Sequence, residues 1–167
     1  MSYFNKKSSS HSKDGHSKKN NRTDFYTPKQ VSKDYGPAPF LVDIEKVTKS
    51  NNTFRTTLWT GEYLQVTLMS IPPGEELGAE IHNNLDQFIR IEQGRGVITM
   101  GDSKDTPSLK QLVFDDYVII IPAGKWHNLV NIGSTPLKLY SIYTPPEHPH
   151  GTIHQTKAIA QEADKHH

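Results

Sequence analysis

The chain has 167 residues, 34% of them hydrophobic, with nineteen Lys/Arg against eighteen Asp/Glu, which suits one domain able to bury a core. Having no cysteine, it excludes a disulfide framework and thiolate metal sites. No apolar stretch approaches the roughly 20 residues of a membrane span, and the Lys/Ser/Asn/His-rich N-terminus lacks an apolar signal core, so a cytoplasmic protein is expected.

Charge is unevenly placed along the chain. Residues 1–36 hold eight Lys/Arg and three Asp/Glu, net +5, and the remainder is net −4. Runs such as Lys6-Lys7-Ser8-Ser9-Ser10 and Lys18-Lys19-Asn20-Asn21 offer too little apolar surface to offset ordering entropy, so residues 1–36 are expected to be a disordered basic tail. Such a tail either tethers the protein electrostatically or simply keeps it in solution. No aromatic residue lies between Asn5 and Asp24, and no specific nucleic-acid motif is present.

From Gly36-Pro37-Ala38-Pro39 onward the pattern changes to short β-like runs: 40–46, 53–60, 63–70, 87–92, 97–100, 111–114, 117–121, 128–131 and 137–143. Breakers separate them at Thr60-Gly61, Pro72-Pro73-Gly74, Gly94, Gly101-Asp102, Asp115-Asp116, Pro122-Ala123-Gly124 and Gly133. Many short strands at even spacing predict an all-β domain over 37–155, a sandwich or barrel. Residues 156–163 read as a short helix inside a C-terminal extension, 156–167, laid across the barrel; the chain ends at His166-His167.

Two groups of residues stand out within this pattern. The first is Gly74, Glu80-x-His82, Gln87 and Gly94; the second is Asp116, Pro122-x-Gly124, His127 and Asn131. Residues two apart in a strand share a face, which aligns Glu80 with His82. Asn83-Asn84 then reads as a hairpin turn. On the next strand Gln87, Ile89 and Ile91 form an interior face, while Asp86, Phe88, Arg90 and Glu92 read as solvent-facing. Proline and glycine in Pro122-Ala123-Gly124 reverse the chain and return His127 to the barrel mouth.

These groups resemble the paired motifs of the cupin superfamily. There the pattern is Gly, His-x-His, Glu and Gly, followed by Gly, Pro-x-Gly, His and Asn. Every spacing matches, but Glu80 stands for the first His, Gln87 for Glu and Asp116 for Gly. The stretches 53–61, 86–92 and 143–149 are further similar to small single-domain bacterial cupins, often labelled mannose-6-phosphate-isomerase-like. The resemblance implies a double-stranded β-helix, or jelly-roll barrel, converging on one metal ion, a small-molecule ligand and a homodimer.

The implied ligand set is Glu80, His82, Gln87 and His127: two imidazoles, a carboxylate and an amide oxygen. Such donors without sulfur suit a divalent transition metal, Fe, Mn, Ni, Co or Zn. Glu80 has two open roles, as the one anionic ligand or as an unligated catalytic base. Asn131 reads as structural, and Asp116 as part of a turn. Trp126, Tyr140 and Tyr143 line a pocket or fill the core. His148, His150 and His154 sit on Pro-rich backbone, poorly suited to a second metal. Two classes of function follow: a metal-dependent isomerase or lyase of a small sugar or keto acid, with a dioxygenase next, or a non-catalytic binding or structural cupin held by its basic tail.

Overall fold

A computed structural model describes residues 30–165. In chain order it contains α1 (Ile44–Ser50), β1 (Arg55–Thr60), β2 (Gln65–Ile71), β3 (Glu80–Ile81), β4 (Asp86–Gln93), β5 (Arg95–Gly101), β6 (Leu109–Phe114), β7 (Val118–Ile121), β8 (Trp126–Asn131), β9 (Leu137–Thr144), β10 (Ile153–His154) and α2 (Lys157–Asp164). The strands form two antiparallel sheets, ordered β10-β1-β2-β9-β4-β7 and β3-β8-β5-β6. The expected all-β jelly-roll barrel is what forms.

The main core lies between the sheets. Met69, Ile71, Ile89, Ile91, Leu137 and Leu139 of the larger sheet meet Ile98, Val113 and Leu129 of the smaller one. Full burial of each such side chain contributes about 1.5–3 kcal/mol. Ala160 of α2 joins this cluster, so the C-terminal helix packs onto the barrel as expected. Its N-cap is Thr156, whose hydroxyl accepts from Ile159 N.

A second apolar cluster covers the outer face of the larger sheet. Val31 and Val47 pack there against Leu58 and Leu68, with Tyr35, Phe40, Val42 and Ile44 around them. Residues 31–36, grouped with the tail by composition, include Val31 and Asp34, both buried. Asp34 accepts from Gly36 N and Thr60 N, each at 2.9 Å, and from the Thr60 hydroxyl. The tail residues before 30, and His166-His167, lie outside the described residues.

Three local expectations are corrected. The run 40–46 is not a strand: Asp43 accepts from Lys46 N and caps helix α1. Seven residues are too few for helical periodicity to outweigh the apolar run Phe40-Leu41-Val42. Asn83-Asn84 is not a hairpin turn, because β3 and β4 belong to different sheets and the segment crosses between them. Finally, the outer face of β4 is partly covered. Glu92 is 6% exposed and accepts from Arg90 Nε at 3.0 Å, since α1 and the segment before it lie on this face of the sheet.

Candidate metal centre

The two sequence groups, distant along the chain, are hydrogen-bonded to each other at both ends. Gly74 N donates to Asn131 O at 3.1 Å, and Gly124 N donates to His82 O at 2.7 Å. Between these bonds the segment from Gly74 to Ile81 runs antiparallel to β8, with Leu77 N donating to Leu129 O. Gly124 adopts φ +79°, the left-handed conformation its turn requires. Ala123 N in the same turn donates to Asp86 Oδ1 at 2.9 Å, so Asp86 supports the turn.

This pairing places Glu80 directly opposite His127 in the β3–β8 register. Cross-strand partners project to one face. Glu80 Oε1 therefore stands 3.2 Å from His127 Nε2, and it also lies 3.4 Å from His82 Nε2. One donor atom from each of the three residues lies within 4.8 Å of the others, a grouping able to hold a metal ion. The imidazole of His127 is fully buried, and the His82 side chain is 12% exposed.

The outward nitrogens decide what the inward ones can do. His127 Nδ1 is 3.1 Å from Lys125 O, and a carbonyl only accepts, so Nδ1 carries the hydrogen. His82 Nδ1 is 3.3 Å from Glu147 Oε1, a carboxylate that likewise accepts. Both inward Nε2 atoms of neutral imidazoles then present lone pairs to a carboxylate oxygen. That arrangement repels itself unless a cation or added protons lie between them. Burial works against a charged His82, but Glu147 and Glu80 outweigh it and push its pKa up to about 9. Burial would likewise raise the Glu80 carboxyl, yet hydrogen bonds from His127 and His82 hold it far below the usual carboxylate range.

Gln87 is 2% exposed on the inner face of β4, as its periodicity predicts. Its amide nitrogen donates to Ser141 Oγ at 2.9 Å and Tyr143 Oη at 3.2 Å. Those two bonds leave Oε1 buried without a hydrogen-bond partner, as an amide oxygen reserved for a ligand would be. Tyr143, itself wholly buried, sets its ring edge against His82 with centroids 5.8 Å apart. Burial pushes the Tyr143 phenol up to about 12, so it stays a neutral hydrogen-bonding group. Thus Tyr143 lies beside the site. Tyr140 stacks on Phe88 instead, with ring centroids 6.3 Å apart, while Trp126 borders a pocket with Lys104, Asp105 and His127.

Asn131 has the structural role expected of it. Its amide nitrogen donates to Ile71 O and Thr135 O, and its oxygen accepts from Gly133 N. Asp116 takes φ 68° in the turn where the related pattern has Gly, and it accepts from Arg90 Nη2 at 2.7 Å. Among the described residues no second metal-holding group forms, so His148, His150 and His154 do not assemble one.

Sequence reasoning did not single out Glu147 or Gln65. Gln65, fully buried, donates to His148 O at 2.7 Å and accepts from His148 N at 2.9 Å. It thereby pins the loop that delivers Glu147 to His82. No signal in the chain marks a glutamine 83 residues away as that anchor.

Comparison with known proteins agrees with this fold. The family model described as "Cupin domain" matches residues 67–143. The chain is 58% identical over 143 residues to the uncharacterized protein YrkC of Bacillus subtilis (strain 168), spanning 86% of this chain and 77% of that one. It is 40% identical over 115 residues to the uncharacterized protein L612 of Acanthamoeba polyphaga mimivirus, spanning 68% and 70%. The crystal structure of BH2720 from Bacillus halodurans is similar with a TM-score of 0.77 and 61% identity, over 78% of this chain and 98% of that one. None of these names states an activity.

Proposed function

The chain belongs to the cupin superfamily, and we propose that it is a metal-dependent enzyme isomerising, or eliminating from, a small polar substrate of the sugar or keto-acid type. The observation that supports this most is the convergence of two imidazole Nε2 atoms on one Glu80 oxygen, beside the orphaned Gln87 Oε1. Glu80, His82, Gln87 and His127 are the proposed ligands of a divalent Fe, Mn, Ni, Co or Zn ion. When bound, the ion supplies Lewis acidity toward a substrate carbonyl.

The remaining work falls to side chains of this chain. Of the two open roles for Glu80, we assign it that of ligand, because its Oε1 faces both ring nitrogens. Glu147 borders the adjoining cavity and holds the Nδ1 proton of His82. It is the second carboxylate at the centre, and we assign it the proton transfer that isomerisation or elimination requires. Tyr143 and Ser141 orient Gln87. The expected homodimer belongs to the same proposal. Exposed Leu112, Phe114, Tyr117, Val118 and Ile120 lie on and between the edge strands β6 and β7, an apolar area that a second copy would cover.

Elemental analysis of protein purified without chelator tests the centre. About one equivalent of transition metal is expected, and it should disappear in His82→Ala and His127→Ala. Full metal content in either variant would sink the assignment. No metal after reconstitution with all five ions would favour a binding protein over an enzyme.

A further inference from the structure

Arg55 opens β1 and is 3% exposed, yet its guanidinium Nε and Nη1 have no hydrogen-bond partner. Among the described residues it forms no ion pair, and its guanidinium lies 5.6 Å from the centroid of the Phe54 ring. A buried cation without a counter-anion is costly, because guanidinium is normally buried only when paired. Arg55 needs an anion that the chain does not supply.

The neighbours of Arg55 show where such an anion would sit. Arg55 lies opposite Met69 on β2 and opposite His154 on β10, so its side chain projects to the inner face with theirs. His154 borders a cavity of about 500 Å3 together with Glu147, His148, Thr152 and Asp164. One ring nitrogen of each of these histidines, His148 Nε2 and His154 Nδ1, is also buried without a partner. Burial, and then the positive charge of Arg55, push His148 down to about 3 and lower His154. Both rings are therefore neutral at physiological pH and can offer N–H donors. A second metal is disfavoured there by the guanidinium.

This corner adjoins the metal centre. His148 sets its ring 5.2 Å from Tyr143, which lies 5.8 Å from His82. Glu147 borders the cavity and touches His82 directly. Glu147 is thus the residue shared by the cavity and the centre.

We propose that Arg55, assisted by His148 and His154, receives the carboxylate of a small oxo- or hydroxy-carboxylic acid whose other oxygen atoms face the Glu80–His82–His127 centre. This rests on the metal reading above and narrows its substrate class from sugars and keto acids to acids. A planar guanidinium matches a carboxylate with two parallel donors, a charge-assisted pairing that a neutral amide cannot reproduce.

Calorimetry on the zinc-loaded full chain tests this with pyruvate, lactate and glucuronate, each against its amide. At least one acid should bind about tenfold or more tightly than its amide. Arg55→Met should abolish that preference with zinc content unchanged, and Arg55→Lys should retain part of it. Should Arg55→Met fail to fold, the wild-type acid-to-amide ratio and Arg55→Lys still decide. Equal binding of acid and amide, no binding by any acid, or a preference that survives Arg55→Met would overturn the proposal. Zinc bound without acid preference would refute the Arg55 role alone; acid preference without zinc uptake would refute the metal centre alone.

Discussion

Glu147 Oε1 stands 3.3 Å from His82 Nδ1, and this contact from a Pro-rich loop leaves the other ring nitrogen of His82 facing Glu80. An outer carboxylate of this kind orients the imidazole and raises its basicity. Glu147→Gln should lower metal affinity about 10–100-fold. Competition against a fluorescent zinc chelator measures it. Because the Glu147 side chain is 35% exposed, the melting temperature should hardly move. Unchanged affinity would show that His82 is oriented by something else.

Asn131 satisfies two backbone carbonyls and one N–H from a site only 1% exposed. Removing the amide leaves those groups buried and unpaired, so Asn131→Ala should cost about 2–4 kcal/mol. Urea denaturation reads the loss. Folded Asn131→Ala should still take up as much metal as wild type, which separates a structural residue from a ligand.

Asp116 occupies a left-handed conformation, φ 68°, which costs most L-residues about 1–2 kcal/mol but Asp and Gly less. Asp116→Gly trades an exposed ion pair with Arg90 for conformational ease and should stay within about 1 kcal/mol of wild type. Asp116→Val should be destabilised by about 1–2 kcal/mol. Equal stabilities for the two variants would refute the backbone explanation.

Asp34 links residues 30–36 to the barrel, and its carboxyl is wholly buried. Burial alone would raise its pKa, but hydrogen bonds from Thr60, Gly36 N and Gly151 N outweigh it and set the pKa below 3.8. The lowered folded value means that the stabilisation is present above pH 3.8 and fades as pH falls through the folded pKa. His150, with Nε2 at 3.4 Å, is the other titratable group against it. Asp34→Asn should therefore melt lower than wild type at pH 7, and the difference should shrink toward pH 2. A constant difference across that range would remove Asp34 as its source.

Much of the barrel was legible from local pattern. Alternation along 87–92 put Gln87, Ile89 and Ile91 inside, and they are buried. Turn residues at Gly94, Asp116 and Gly124 mark positions where the backbone adopts positive φ. The same reasoning failed at Glu92, where the outer face is covered by a segment far away in sequence. It failed again at 40–46, where a single cap outweighs an apolar run.

The sequence by itself determined the strand periods, the turns and the spacing that aligns Glu80 with His82, because these depend on backbone geometry within a few residues. Only the tertiary structure decided that Glu80 faces His127 and that Glu147 reaches His82. It alone decided that Arg55 lies buried beside His154 with no anion of its own. Those relations arise from which strands pair and which loops are pinned across the barrel. Burial of both sheets settles such pairings over the whole chain at once, and no local window contains them.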